Sequence, residues 1–528
     1  RGFHPMCRSL TLAPSVAALL VTLGCASTLP PPEPGQAEPV SPLVIRGAPA
    51  IPADLSLEMA HYLDARPISL QAISDDGQNL LMTSRLQETS QLFYLAAGQD
   101  EPKQLTFEAE PVRNAKFRPG HNDHATFMAD VGGNEQYQVF RLDLTTGQKT
   151  LLTDGTSRHG SYLWAPSGKT LLLTNNARNG RDMDLYTSDG SPGSLTRVLD
   201  TEGYWYPLDI SQSETHALLG QYVSAQVSRL YLFDLSTHAL TPLTPEDDPG
   251  ANRHARFSTD GTKIFVSSDR QRDHMSLFEV DLASSTWTLL AADIPWSIEH
   301  LSVAHQSNLV TFAANEEGYS KLYQVNLATH ATTTLPTPKG IVGSLQIARN
   351  APSAAFTYRS STHIGSIYTL ALDTGELAER ARGELGDIPT TSLIAPSLIR
   401  YESFDERQIP AFYYRPRGEG PFPTIIKIHG GPESQARPSF NTLVQYLVSE
   451  CGYAVITPNV RGSRGYGKHY LTLDNGMRRK DSVKDIGALL DWVRHQPELD
   501  STKVGVIGGS YGGYMVLASL LDYGSQIR

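Results

Sequence analysis

Residues 508–512 read Gly-Gly-Ser-Tyr-Gly, a G-x-S-x-G pattern with Ser510 at its centre. A serine hydroxyl becomes a nucleophile when a base activates it, and this pattern is typical of a sharp turn that exposes the hydroxyl. The apolar segment Lys503–Ile507 precedes the turn, and a helical segment follows it. In this strand–turn–helix context Ser510 is predicted to be a catalytic nucleophile, and the N–H of Tyr511 is predicted to face the developing oxyanion.

The flanking glycines have two possible interpretations. In a nucleophile turn they are needed because a Cβ would clash with the neighbouring strand and helix. In a dinucleotide phosphate loop they would follow a G-x-G-x-x-G register, but here Gly509 and Ser510 come directly after Gly508. No acidic residue can be placed on a following strand either, so the nucleophile turn is favoured.

A second motif, His429-Gly430-Gly431-Pro432, follows an apolar segment that ends at Ile428. The α/β-hydrolase fold places its other oxyanion donor, a backbone amide, on a Gly-rich loop at this position. Gly430 is the predicted donor. His429 could alternatively be the catalytic base, but in this fold the base normally follows the nucleophile along the chain.

These motifs need an α/β scaffold to position them. Pro423–Ile428 and Tyr453–Thr457 are short apolar runs, as in strands of a parallel sheet that are buried on both faces. Asn441–Glu450 and Asp481–Arg494 have helical spacing of apolar residues. The alternation predicts an α/β-hydrolase domain over residues 389–528.

Upstream, an apolar residue followed by an aromatic residue recurs every 45 to 47 residues. Turn-like clusters and apolar strands, such as Leu80–Thr83 and Lys263–Ser267, accompany the repeat. Units of this length with about four strands must stack radially, which predicts a seven-bladed β-propeller with a lead-in segment over residues 50–388. The aromatic residues are interpreted as packing between blades. The seven pairs are Leu92-Phe93, Val139-Phe140, Leu185-Tyr186, Leu230-Tyr231, Leu277-Phe278, Leu322-Tyr323 and Ile367-Tyr368.

Composition excludes several classes of protein. The 528 residues contain 44 Lys and Arg against 55 Asp and Glu, a net charge of −11 that disfavours a nucleic-acid partner. The 3 cysteines lie far apart and lack histidine partners, so neither a metal site nor a disulfide framework is expected. No cofactor is expected.

The first residues are predicted to be a targeting segment. The apolar run from Leu10 to Leu23 indicates a signal peptide over residues 1–25. Thr22–Ser27 resembles a bacterial lipoprotein cleavage box with Cys25 as the lipidated residue, although a plain signal peptide or an uncleaved anchor would give a similar run. A Pro-rich tether is predicted over residues 26–49. The expected location is the periplasm or, through a lipid anchor, the bacterial envelope.

Three ordered segments resemble the prolyl oligopeptidase family of serine peptidases, in its acylaminoacyl-peptidase and dipeptidyl-peptidase-like branch. They are His429–Gln435, Asn459–Gly467 and Gly508–Met515. The resemblance implies a propeller before a hydrolase domain, Ser510 as nucleophile, and the amides of Tyr511 and Gly430 as the oxyanion hole. It also implies short peptide substrates, with the propeller covering the site. Asn459–Gly467 is interpreted as a structural loop that braces the site.

Two further expectations follow from this resemblance. The triad order would be Ser, Asp, His, but Asp522 is the sole acidic residue after Ser510 and no His follows. The chain is therefore expected to be truncated within its catalytic domain and to be nearly inactive as written.

Glu316-Glu317-Gly318 could capture a peptide amino group, as in related enzymes, but a hairpin turn is favoured. An ester hydrolase and a noncatalytic propeller binding protein remain alternative functions.

Overall fold

The computed structural model of the protein describes residues 46–85 and 89–528. The predicted signal peptide, Cys25 and residues 26–45 of the predicted tether lie outside these ranges. Among the described residues, no helix has both the length and the apolar sequence that crossing a membrane requires.

Residues 68–382 form seven four-stranded antiparallel sheets, each made of strands that are consecutive in the chain. This is the seven-bladed β-propeller that the sequence repeat predicts.

The strands of blades 1 to 4 have the following bounds. Blade 1 contains β1 (Ile68–Ile73), β2 (Leu80–Ser84), β3 (Gln91–Leu95) and β4 (Lys103–Gln104). Blade 2 contains β5 (Arg113–Arg118), β6 (His121–Ala129), β7 (Gln138–Asp143) and β8 (Lys149–Leu151). Blade 3 contains β9 (His159–Trp164), β10 (Leu171–Asn175), β11 (Asp184–Ser188) and β12 (Thr196–Leu199). Blade 4 contains β13 (Tyr204–Ile210), β14 (His216–Tyr222), β15 (Ser228–Asp234) and β16 (Leu240–Pro242).

Blades 5 to 7 complete the ring. Blade 5 contains β17 (Asn252–Phe257), β18 (Lys263–Ser268), β19 (Ser276–Asp281) and β20 (Thr286–Leu290). Blade 6 contains β21 (Ser297–Ala304), β22 (Leu309–Glu316), β23 (Tyr319–Asn326) and β24 (Thr332–Thr334). Blade 7 contains β25 (Ile341–Ile347), β26 (Ser353–Ser360), β27 (His363–Ala371) and β28 (Leu377–Arg382).

Every repeated apolar–aromatic pair lies on the third strand of its blade, and the apolar member is buried in all seven. The aromatic rings pack against rings of the second strand in several blades. Phe140 stacks on Phe127 with centroids 5.4 Å apart, and Tyr323 stacks on Phe312 at 5.6 Å. Each aromatic residue also lies in, or packs against, a buried cluster that joins two neighbouring blades, so the predicted packing between blades is confirmed. Four of the seven, Phe140, Tyr186, Tyr231 and Tyr368, are only partly buried.

The ring closes by packing between blades 1 and 7, because each of these blades is complete in itself. The Leu70 N–H donates to Thr357 Oγ1 at 2.8 Å, and Gln346 Nε2 donates to the Gln71 carbonyl at 2.7 Å. Hydrogen bonds thus join the first strand of the propeller to its last blade.

The residues after the propeller form a five-stranded sheet of β29 (Ser397–Glu402), β30 (Gln408–Tyr414), β31 (Phe422–Ile428), β32 (Ala454–Pro458) and β33 (Leu499–Gly508), in the order β29-β30-β32-β31-β33. β31 pairs in parallel with β32 and β33, whereas β30 pairs antiparallel with β29 and β32. Four helices accompany the sheet. The predicted α/β-hydrolase region after the propeller is confirmed. The helix before the propeller, Ala53–Leu63, is α1. The four helices of the hydrolase region are α2 (Thr442–Ser449), α3 (Gly467–Leu471), α4 (Arg479–Arg494) and α5 (Tyr511–Tyr523).

Helix α1 precedes the propeller in the chain but packs on α2 of the hydrolase region. The rings of Tyr62 and Tyr446 meet edge-on at 5.5 Å, and the Tyr62 hydroxyl donates to Glu450 at 2.6 Å. The sequence places this segment with the propeller as a lead-in. In the structure it ties the start of the propeller to the hydrolase region.

Candidate active site

Ser510 lies between the end of β33 and the first residue of α5, with φ 53° and ψ −122°. Residues other than glycine rarely adopt positive φ, and such strain is found mostly where a function requires it. The Ser510 side chain is exposed. The predicted nucleophile turn is therefore present in the backbone.

Gly508 and Gly512, two residues before and after Ser510, have no room for a side chain. A Cβ on Gly508 would lie 2.6 Å from the carbonyl group of Gly512. A Cβ on Gly512 would lie 2.4 Å from the carbonyl oxygen of Ile428. These distances confirm that the pattern is required by the close packing of strand, turn and helix.

Gly430 borders Ser510 although 80 positions of sequence separate them. The parallel pairing of β31 with β33 places Ile428 opposite Gly508, so the loops after the two strands meet. A Cβ on Gly430 would lie 3.5 Å from Ser510 Cβ and 3.9 Å from Ser510 Oγ. Tyr511 begins α5, where N–H groups have no acceptor within the helix. The structure brings the three predicted site residues together, and their catalytic roles stay predictions.

His429 uses both ring nitrogens away from Ser510. Nδ1 lies 2.7 Å from the Gly430 carbonyl oxygen, and Nε2 lies 2.9 Å from Ser463 Oγ. Burial lowers the pKa of His429. This arrangement does not place His429 as the base for Ser510. Among residues 46–85 and 89–528, no acidic or histidine side chain forms a hydrogen bond with Ser510 Oγ.

The loop over residues 459–467 is held by a buried ion pair. Arg461 Nη2 lies 2.8 Å from Asp485 Oδ1, and the Arg461 N–H donates to Asp485 Oδ2 at 2.9 Å. Arg461 also pairs with Asp405 at 2.9 Å. The side chains of Arg461 and Asp485 are 4% and 0% exposed. The interpretation of this loop as a brace is supported by these contacts.

The structure adds Asp474, which sequence reasoning missed. The Tyr511 hydroxyl lies 2.8 Å from Ser482 Oγ and 3.1 Å from Asp474 Oδ2. Asp474 is fully buried, and burial raises its pKa. A Cβ on Gly462 would lie 2.4 Å from the Asp474 carboxyl group. Asp474 belongs to none of the sequence motifs. Gly462, in the loop over residues 459–467, is the one feature of the sequence that could have indicated a close contact there.

Blade 6 contacts the loop that follows Gly430. Arg437 Nη1 lies 2.7 Å from Glu299 Oε2, and its Nε donates to the Gly318 carbonyl at 2.8 Å. Asn315 Nδ2 donates to Gln435 Oε1 at 2.7 Å. The propeller thus holds one of the two loops that border Ser510.

The Glu316-Glu317-Gly318 segment forms a hairpin turn between β22 and β23, with φ 53° at Glu317 and 92° at Gly318. The Tyr323 hydroxyl donates to Glu316, and Glu317 forms an ion pair with Arg400. The hairpin interpretation is confirmed, and both carboxylates already have partners.

Comparison with known proteins gives a family model that matches part of the chain, and several similar proteins. Residues 438–526 match the sequence model of the prolyl oligopeptidase family. The chain is 24% identical over 98% of its length to dipeptidyl aminopeptidase BIII of Pseudoxanthomonas mexicana, of which it covers 75%. It is 22% identical over 55% of its length to dipeptidyl-peptidase 5 of Porphyromonas gingivalis, of which it covers 43%.

Solved structures share the fold. A prolyl endopeptidase structure matches with a TM-score of 0.76 at 14% identity, covering 89% of this chain and 73% of that chain. A puromycin hydrolase matches with a TM-score of 0.74 at 17% identity, covering 87% of this chain and 77% of that chain.

Proposed function

Because residues 438–526 match the sequence model of the prolyl oligopeptidase family, we propose that the protein is a serine peptidase that hydrolyses short peptides. Ser510 is the nucleophile, and the N–H groups of Tyr511 and Gly430 bind the oxyanion. The observation that carries the proposal is the strained, exposed Ser510 with Gly430 beside it.

The chemistry divides between an acylation and a deacylation step. In the proposed reaction Ser510 Oγ attacks the peptide carbonyl carbon and gives its proton to a histidine base, which an aspartate orients. Neither partner lies at Ser510 among the described residues, and the triad order would place both after Ser510 in the chain. The C–N bond breaks, the amine leaves with the proton, and water hydrolyses the acyl-enzyme. The two amides bind the negative oxygen in both steps, and loss of one such donor costs about 10²–10³ in kcat.

The restriction to short peptides is supported by the contacts of the propeller. Arg437 ties the loop after Gly430 to Glu299 of blade 6. On blade 5, the backbone carbonyl of Asp273 accepts a hydrogen bond of 2.7 Å from the backbone N–H of Lys468. We propose that a folded protein reaches Ser510 only when these contacts part. The name of the Pseudoxanthomonas relative suggests release of dipeptides as one specificity to test.

The cellular location is a separate proposal. Export, with lipidation at Cys25, is supported by the apolar run of residues 10–23 and the box at Thr22–Ser27. Metabolic labelling with a palmitate analogue should label the wild type. The Cys25→Ser variant should be unlabelled, and equal labelling of both would contradict lipidation.

The enzymatic proposal is tested on the protein expressed from its whole open reading frame. Dipeptidyl p-nitroanilides, N-acylated peptides and short acyl esters are compared as substrates. Cleavage of at least one peptide class should be abolished in Ser510→Ala and retained in Ser525→Ala, an exposed serine used as control. Peptide cleavage that survives Ser510→Ala would overturn the proposal. Turnover of esters alone would favour an ester hydrolase.

A further inference from the structure

The side chain of His429 closes a small ring onto the backbone of the next residue. Its Nδ1 lies 2.7 Å from the carbonyl oxygen of Gly430. The ring that this contact closes contains ψ of His429 and both φ and ψ of Gly430. The contact therefore restrains the direction of the Gly430 N–H, because that group lies between the bonds of His429 ψ and Gly430 φ.

A neutral His429 ring and the Ser463 hydroxyl supply two hydrogens for three contacts, so the position of the ring proton decides which two of the contacts are hydrogen bonds. Nε2 of His429 lies 2.9 Å from Ser463 Oγ, and Ser463 Oγ lies 2.6 Å from the Val460 carbonyl. A neutral imidazole has one N–H, and burial favours the neutral ring because it lowers the pKa of His429. If Nδ1–H donates to Gly430, the Ser463 hydroxyl donates to Nε2. The Ser463 hydroxyl then does not donate to the Val460 carbonyl. That carbonyl still accepts from the Ser463 N–H at 3.1 Å.

Ser463 is itself fixed by the loop that carries it. Two residues earlier, Arg461 is bound to Asp485 through its side chain and its N–H. Ser463 is fully buried, with 0% relative exposure. A rigid path therefore leads from the buried ion pair through Ser463 and His429 to the Gly430 backbone.

We propose that His429 and Ser463 are positioning residues that hold the Gly430 N–H toward the oxyanion. The inference rests on the proposed function, because Gly430 must donate to the reacting carbonyl. Gly430 and Gly431 lack side chains, and glycine backbones are the least restrained in proteins. The His429 ring supplies the restraint that the two glycines lack, and it acts without touching the substrate.

Two substitutions of His429 test the contacts of its two ring nitrogens separately. Asparagine at position 429 can place an amide N–H near the position of Nδ1 and keep the bond to Gly430. Glutamine reaches the position of Nε2 and keeps the bond to Ser463. We expect His429→Gln to lower kcat about tenfold or more and to leave KM unchanged. The loss should be smaller than the factor of about 10²–10³ in kcat that removal of an oxyanion donor costs. His429→Asn should lose less than about threefold, and Ser463→Ala should lie between the two.

A peptide aldehyde gives the readout that a purely structural role would not move. It forms a hemiacetal with Ser510 whose oxygen occupies the oxyanion site, so its inhibition constant should rise by the same factor as kcat falls. Thermal unfolding checks that each variant is folded, and Ser463→Ala serves if a His429 variant does not fold.

The outcomes are distinct. If folded His429→Asn and His429→Gln lose activity equally, or if Ser463→Ala matches the wild type in kcat, the positioning role is wrong while Ser510→Ala can still be inactive. If Ser510→Ala retains activity, the proposed function is wrong and the positioning role with it.

Discussion

The carbonyl oxygen of Ile428 lies 2.4 Å from the position that a Cβ on Gly512 would occupy. Ile428 ends β31, and Gly512 is the second residue of α5. The helix that follows Ser510 thus packs directly against the end of the strand that leads to Gly430. Together with the pairing of β31 and β33, this contact keeps Gly430 near Ser510.

Gly512→Ala should therefore disrupt the site. Since neither the strand nor the helix can move freely, we expect a loss of about 1–3 kcal/mol in stability and a large loss of activity. Gly513→Ala is the matched control, because its Cβ would lie 3.7 Å from the Gly508 carbonyl, an ordinary contact. Urea unfolding and peptide turnover measure both. Equal behaviour of the two variants would show that the Ile428 contact is unimportant.

Asp485→Asn should destabilise the brace of the 459–467 loop. It leaves the buried Arg461 with one anionic partner instead of two, and breaking a buried pair costs about 3–5 kcal/mol. Asp491→Asn is the control, because its pair with Arg494 at 2.7 Å is half exposed and worth about 0–1 kcal/mol. The midpoint of urea unfolding gives both values. A shift for Asp485→Asn as small as that of the control would refute the expectation.

Arg437→Ala should relax the restriction on substrate length. It removes the ion pair with Glu299 and the bonds to Gly318 and Ser320 of blade 6. We expect cleavage of longer peptides to increase relative to short ones. Competition between a short and a long peptide measures the ratio, with the surface variant Arg494→Ala as control. An unchanged ratio would mean that these contacts do not limit access.

Stability should depend on pH through His254 of blade 5. Burial lowers the pKa of His254 to about 3 from 6.5, and the charges of His300, Arg256 and Arg253 act in the same direction. As the pH falls below 6.5, the unfolded chain binds a proton that the folded chain excludes, so stability decreases by up to about 1.4 kcal/mol per pH unit. Above 6.5 this histidine contributes no pH dependence.

His254→Asn should reduce the loss of stability between pH 7 and pH 5.5. Asparagine suits the backbone, because φ at this position is 50° and asparagine tolerates positive φ. Urea midpoints at the two pH values measure the effect, with exposed His61→Asn as control. The expectation fails if the wild type and His254→Asn lose the same stability.

Much of the fold follows from local patterns. The 45- to 47-residue repeat predicted seven blades, because a sheet unit that cannot bury both faces must stack on copies of itself. The strand–turn–helix context predicted the conformation of Ser510, because the pattern of residues 508–512 is typical of such a turn. These features could be predicted from patterns of residues close together in the chain, although the clash that requires Gly512 is with the distant Ile428.

Other features depend on residues far apart in the chain. The sequence named Gly430 from its loop, but the parallel register of β31 and β33 decides that this loop meets Ser510. The burial of Asp474 beneath Tyr511 and the packing of α1 on α2 have no motif. The sequence by itself determined which elements form and which serine could react. Only the tertiary structure decided which groups surround that serine, because packing between distant segments sets those distances.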